Sequence, residues 1–372
     1  MSALRVMTDD FIRGTQLLRA GRFDEALSAF RIVYGDARAV GNTDLMAAAL
    51  CEMAWSCYRI GDAEQGLECA MGARTLWKRL GNRLELARAL AVAAMLCLDL
   101  GLADEAADRA DQALELATAE DNEAMLAFAL NARGIVLAVC HEAERGMHLV
   151  EQAVAIANQQ ANLAASAYYL LNLGVCHARL AKEADTRGEL ARVFDERAAA
   201  IEFTAAAIQH AQRGGDFWTL RAALGNNAEM LAQQGSCDAA LVLLDQCADL
   251  LDEPAIGLRI QYLYTLGDVL FRAGRLDEAR HNAAEAVALA DSSSLIDQQI
   301  STTAKLAEIL EALGDAPAAL TQFKRYHALY LQRLTATAQR RARLGAIRAE
   351  TDFWRRQADT DGSLAMPQRR RA

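Results

Sequence analysis

Proline is almost missing from the 372 residues: only Pro254, Pro317 and Pro367 occur. With so few breakers, long helices can form without interruption. β-Branched residues are sparse and never alternate with polar ones as a half-buried strand requires, which argues against a sheet. No run reaches the ~18 apolar residues of a membrane span. The most apolar stretch, 86–100, is broken by Arg88 and Asp99. The first 14 residues lack the basic-then-apolar pattern of a secretion signal, so a cytoplasmic protein is expected. An excess of positive charge is also lacking, and the net charge of −10 speaks against nucleic acid or an anionic membrane as partner. The eight cysteines (51, 57, 69, 97, 140, 176, 237 and 247) form no CxxC pair, and reduced, buried thiols are expected. There is no Gly-rich phosphate loop, nucleophile elbow or HExxH motif. The expectation is a binding protein without catalytic residues, cofactor or metal.

What the chain does contain is alanine and other strong helix formers, punctuated at a fixed interval. AGRFDEA (20–26), IGDAEQG (60–66), LGLADEA (100–106), QGSCDAA (234–240), AGRLDEA (273–279) and LGDAPAA (313–319) are variants of one turn. Their glycines, Gly21, Gly61, Gly101, Gly235, Gly274 and Gly314, are spaced by 39 or 40 except across the centre. Continuing by 40 from Gly101 reaches His141 and Ala181, where turns without glycine are expected. Gly suits a left-handed helix end, and the Asp that follows, as in Asp62, Asp104, Asp238 and Asp277, suits the next N-cap. A second set of Gly/Asn/Asp turns lies between these, at 39–44, 79–84, 118–124, 159–164 and 213–218. Each unit therefore reads helix, tight turn, helix. The central interval is about 14 residues too long, with the excess in 180–202. Two extended helices joined by a longer charged turn account for it, and an extension that contacts a partner is the other reading.

The units resemble the tetratricopeptide repeat in a long form of about 40 residues. The best match is Leu263, Leu266-Gly267, Leu270, Gly274, Ala279 and Ala286, followed by Leu170, Leu173-Gly174 and His177. Small residues recur in the second helices at Gly66, Ala70 and Ala73, then at Ala106, Ala110 and Ala113. The family tryptophan is replaced by leucine throughout. The resemblance implies an all-α, right-handed superhelical solenoid of about eight helix-turn-helix repeats, ending in a long C-terminal helix. It also implies a concave wall made by the first helix of each repeat. On that frame the wall carries Trp55, Tyr58, Met95, Phe128, Asn131, Tyr168, Asn172, Asn226, Glu229, Tyr264, Asp268 and Phe271. In peptide-binding members an inner-face Asn grips the peptide backbone, because one amide offers both a donor and an acceptor. The binding set expected here is Trp55, Tyr58, Phe128, Asn131, Tyr168, Asn172, Asn226, Tyr264 and Phe271, with a protein or peptide as ligand. Alternatively some of these rings are core. Cys57, Cys97, Leu137 and His177 share one repeat position, and a leucine there marks it as packing. Cys140-His141 and Cys176-His177 fall at different repeat positions, which argues against a metal site.

The array is expected to span 1–325, followed by a stalk helix over 326–360 and a basic tail over 361–372. Residues 340–372 hold nine arginines against four acids, so this stretch is +5 and the remainder −15. A helix of ~40 residues would be ~60 Å long. Its heptad (Phe323, Tyr326, Tyr330, Leu344, Ile347, Thr351, Trp354 and Ala358) predicts pairing in a homodimer, although Arg333 and Arg340 weaken the seam, and a solvated or disordered basic tail is the other reading. Residues 361–370, DGSLAMPQRR, resemble the segment that opens GGDEF (diguanylate cyclase) domains, through Asp361, Pro367, Arg369 and Arg370. That resemblance implies a sensor array related to the input half of such proteins, without the cyclase residues. A plain scaffold or adaptor, or a regulator responsive to signalling peptides, is the alternative.

Overall fold

The computed structural model describes residues 3–339 apart from 141, 251–255 and 294. Those residues form helices only, in consecutive antiparallel pairs. The pairs are α1 Ala3–Arg19 with α2 Phe23–Val40, α3 Thr43–Ile60 with α4 Ala63–Leu80, α5 Arg83–Asp99 with α6 Ala103–Ala119, and α7 Glu123–Val139 with α8 Ala143–Gln159. They continue with α9 Leu163–Arg187 and α10 Leu190–Gly214, α11 Phe217–Gln233 and α12 Cys237–Ala248, and α13 Ile256–Arg272 and α14 Leu276–Asp291. The last pair is α15 Ile296–Ala312 with α16, which spans 316–339. Eight pairs make the solenoid, as the turn spacing predicts. Helix α16 runs unbroken across position 325. Arg340, Leu344, Ile347, Thr351, Trp354, Ala358 and the whole of 361–372 lie outside the described residues.

The two sets of turns work by different local chemistry. Within pairs, Gly21, Gly61, Gly101, Gly235, Gly274 and Gly314 all take positive φ, between 70° and 86°. Between pairs, Asn42, Asn82, Asn122, Asn162 and Asp216 cap the following helix, each accepting a hydrogen bond from the backbone N–H three residues on. Of the aspartates expected as caps, Asp62 is one, accepting from the Gln65 amide at 3.2 Å. Asp104, Asp238 and Asp277 instead sit inside the first turn. There a carboxylate meets the positive end of the helix dipole without bonding a particular amide.

The long central unit is two extended helices, α9 and α10, of 25 residues each. The expected turn at Ala181 does not exist. Nothing near it can end a helix, and α9 continues to Gly188, whose φ is 73°. The connection is tight, not a longer charged loop.

Small residues set the helix spacing. Alanines 26, 70, 106, 110, 153, 207, 240, 279 and 286 have no exposed surface. Larger side chains such as Phe30, Met95, Leu96, Leu173, Leu224 and Ile309 fill the space between them. Six of the eight cysteines are buried and all eight are free. Burial pushes the thiols of Cys51, Cys57 and Cys176 up to about 12, which leaves them as core atoms and poor nucleophiles.

The array coils far enough for its later units to touch its earlier ones. A Cβ on Gly21 would lie 3.9 Å from Phe217, one on Gly61 would lie 4.0 Å from Leu295, and one on Gly101 would lie 3.7 Å from Thr337. Residues 196 to 236 positions apart in the sequence therefore lie side by side.

Candidate site in the superhelix lumen

The C-terminal half of α3 faces the N-terminal halves of α7, α9 and α11 across the lumen. Trp55, Tyr58 and Arg59 project from one side of α3, since residues three and four apart share a helix face. Phe128 and Tyr168 occupy equivalent places, 40 residues apart, on α7 and α9. Trp218 comes from the first turn of α11. The rings form one cluster. Trp55 stacks on Tyr58 at 5.4 Å and meets Phe128 and Tyr168 edge-on at 5.7 and 5.9 Å. Trp218 lies 6.4 Å from Tyr58 and 6.3 Å from Tyr168. The Tyr58 and Tyr168 hydroxyls are 3.2 Å apart, and Tyr168 also donates to Met95 Sδ at 3.3 Å. Desolvation raises both phenols, and for Tyr58 the neighbouring Tyr168 adds to it.

Arg59 sits inside this cluster. Its guanidinium carbon is 3.9 Å from the Trp218 ring centroid, 4.4 Å from that of Trp55 and 5.0 Å from that of Tyr168. A cation over ring faces is attracted by their quadrupole, by about 0.5–2 kcal/mol per contact. Trp218 Nε1 donates to the Arg59 carbonyl at 3.0 Å, joining positions 159 residues apart.

Beside the rings lies an amide pair. Asn172 Nδ2 donates to Asn131 Oδ1 at 2.9 Å. Asn131 is fully buried, and its Nδ2 has no hydrogen-bond partner.

Of the nine residues expected on the wall, Trp55, Tyr58, Phe128 and Tyr168 come together, with Asn131 and Asn172 adjacent. Tyr264 and Phe271 belong to a second group further along, where Lys305 reaches Asp268 at 2.8 Å and lies over Phe271 at 5.5 Å. Arg272 pairs with the other oxygen of Asp268 at 2.8 Å. Glu229 faces the same group. Desolvation, then repulsion from Asp268, raises its carboxyl. Asn226 is half-buried in neither group. Its neighbour Asn227 is the buried one, donating to the Ile201 carbonyl at 2.9 Å and to Thr204 Oγ1 at 2.8 Å. Arg59 and Trp218 had no sequence signal. The position of Arg59 recurs as Asp99 and Val139 in the next two units, and Trp218 stands in a segment that reads as a turn.

Asp99 is solvent-accessible, but the surrounding wall desolvates it. That effect, and then Asp297 on α15, raises its carboxyl to about 7. An acid whose folded value is raised holds its proton where the unfolded chain has lost it. Stability is therefore fully retained near pH 4 and falls as pH rises toward 7. Asp99→Asn is expected to flatten that fall, so that its urea midpoint exceeds wild type at pH 8 and converges with it at pH 4. Parallel pH curves for the two proteins would show that Asp99 carries no such penalty.

Other polar contacts are structural. Ser166 and His210 approach to 2.9 Å, but the Ser166 hydroxyl is 1% exposed and already donates to Asn158 at 2.7 Å. His177 pairs with Glu196 at 2.8 Å and stacks on Phe203. Among the described residues no group of three His, Cys, Asp or Glu is placed to hold a metal ion, and no helix is long and apolar enough to cross a membrane. Two surface hollows of about 340 and 310 Å³ border none of the residues of the ring cluster.

A tetratricopeptide-repeat family model matches residues 258–332, the stretch from α13 into α16. Solved structures extend that likeness over the chain. A Rap protein complexed with competence and sporulation factor superposes with a TM-score of 0.59 at 12% identity, over 89% of this chain and 99% of that one. The chain is a tetratricopeptide-like solenoid. The apo form of the quorum sensor NprR from B. thuringiensis matches at 0.52 and 12% identity, over 81% of this chain and 79% of that one. A human IFIT1 dimer with PPP-AAAA matches at 0.59 and 14% identity, over 86% and 72%. No curated protein matches in sequence. At these identities the tetratricopeptide-like array shares a fold with those proteins.

Proposed function

We propose that the array is a non-catalytic receptor for a peptide or an extended protein segment, held in the lumen between α3, α7, α9 and α11. The Asn131–Asn172 pair beside the aromatic cluster carries this reading. Asn172 is half-buried, and an amide oriented by Asn131 next to ring faces suits a peptide group and its side chain together. Two of the structural neighbours are, by name, a Rap protein complexed with competence and sporulation factor and a quorum sensor, which favours a regulatory receptor over a passive scaffold. Homodimerisation through the stretch 326–360, and the role of input array for a diguanylate-cyclase-type output, belong to the same reading and rest on the sequence of 323–370.

A pool of random hexapeptides, added to the full chain, is expected to protect amides of α3, α7, α9 and α11 from hydrogen exchange. Asn172→Ala is expected to weaken binding of the enriched peptides about 3- to 10-fold, the worth of one net hydrogen bond. If protection falls only on the outer helices, or if Asn172→Ala binds as well as wild type, the lumen is not the receptor site.

A further inference from the structure

Arg59 is 7% exposed, and its Nε and Nη1 are buried with no hydrogen-bond partner. Ring faces answer the charge of a guanidinium but not its N–H groups, which lie in its plane. Buried donors left unmade are costly, and a side chain needed only as packing between rings would not strand two of them. A guanidinium offers a carboxylate two forks, Nε with Nη2 and Nη1 with Nη2. Each contains one of the unpartnered nitrogens. A carboxylate binds in the guanidinium plane, so the ring of Trp55 can stay on its face while it does so.

The side chain that closes this site is Trp218. It is half-buried on the first turn of α11, directly after Gly214-Gly215-Asp216-Phe217, and Phe217 is 52% exposed. Its one hydrogen bond to α3 ends on the carbonyl of Arg59 itself. Leaving Arg59 costs the indole that bond and its packing on Tyr58 and Tyr168, at 6.4 and 6.3 Å, and a carboxylate on the stranded N–H groups offsets the loss.

We propose that Arg59 receives a carboxylate of the bound peptide, entering as the Trp218 indole moves off the guanidinium. This rests on the lumen being the peptide site and adds the chemistry that selects the ligand. The carboxylate is a Glu or Asp side chain or the peptide's own C-terminus. In a chain of net charge −10, one stacked guanidinium admits a single negative group without making the lumen a general anion sink.

Three hexapeptide pools separate the possibilities when titrated against indole fluorescence of the full chain: one Glu with an amidated end, Gln in its place with an amidated end, and no acid but a free C-terminus. One of the two acid-bearing pools is expected to bind about tenfold or more tightly than the Gln-amide pool, and which one does identifies the source. That preference is expected to vanish in Arg59→Met. It should drop to a few-fold in Arg59→Lys, which keeps the charge and loses the fork, and which serves if the Met variant does not fold. Equal binding of all three pools overturns the carboxylate assignment while leaving the peptide groove standing. A preference that survives both variants overturns it too. No binding by any pool removes the groove and this inference together.

Discussion

Trp218→Ala is expected to loosen the superhelix as well as lower its stability. The indole spans α11 and α3, touches the guanidinium of Arg59 at 3.9 Å and donates to its carbonyl. A fully buried Trp→Ala change costs roughly 3–5 kcal/mol, and a half-buried ring should lose on the order of 2–3. The geometric consequence is the sharper one. In an ideal solenoid each unit touches only its neighbours, so stability is a nearest-neighbour sum. Here Trp218–Arg59, Phe217–Gly21, Leu295–Gly61 and Thr337–Gly101 join units that are not neighbours. Trp218→Ala removes the hydrogen bond of that seam that runs from an indole N–H to a main-chain carbonyl. Small-angle X-ray scattering is expected to show a larger radius of gyration, and urea unfolding a lower and broader transition. Trp218→Phe keeps a ring over Arg59 but not the N–H bond, and should lose about 1 kcal/mol with little expansion. An unchanged scattering profile for Trp218→Ala would mean that the turns of the superhelix do not hold each other.

The seam also marks the limit of what the sequence shows. Turn chemistry is local, so Gly21, Gly61, Gly101, Gly235, Gly274 and Gly314 and the Asn caps at 42, 82, 122 and 162 were readable as a period of about 40. From that period the eight helix pairs follow, and the tetratricopeptide frame laid on it marked Trp55, Tyr58, Phe128 and Tyr168, which the structure brings into one cluster. The long α9–α10 unit was legible as excess length. Its turn was misplaced because a period predicts where a turn should fall, whereas Gly188 decides where it does. Beyond that unit the frame sets Asn226 at the position of Asn172, while the neighbouring Asn227 is the buried, doubly bonded residue. The closeness of Arg59 and Trp218 depends on superhelical pitch, the sum of many small rotations between units, and no local pattern encodes it. Likewise Tyr264 and Phe271, placed on the same wall by the frame, stand in a second group with Lys305 and Asp268, built between α13 and α15.

Gly134→Ala should be among the most damaging small substitutions in the array, despite adding one methyl. Gly134 is helical, so alanine suits its local conformation and would ordinarily gain about 1 kcal/mol of helix propensity. Packing opposes this. A Cβ there would lie 2.5 Å from Val150 Cγ2 and 2.7 Å from the carbonyl oxygen of Gly146 on α8. The Val150 methyl can rotate away, but the Gly146 carbonyl is backbone. Gly146 presents the reciprocal problem, since its own Cβ would meet the Gly134 carbonyl oxygen and, at 2.8 Å, the Ala138 amide nitrogen. The two glycines let α7 and α8 touch main chain to main chain, and relief would require the helices to part. Overpacking of this kind costs about 1–3 kcal/mol, and at a backbone contact the upper end applies. Because α7 carries Phe128 and Asn131 to the lumen, parting the pair also displaces the amide that meets Asn172. Gly134→Ala is therefore expected to lower the thermal midpoint and to weaken peptide binding, although it lies outside the lumen. Gly267→Ala is the matched control, since its nearest backbone neighbour would lie at 3.5 Å, an ordinary contact. It should be neutral or slightly stabilising. Equal midpoints for Gly134→Ala and Gly267→Ala would show that α7 and α8 have slack which the close contact does not suggest.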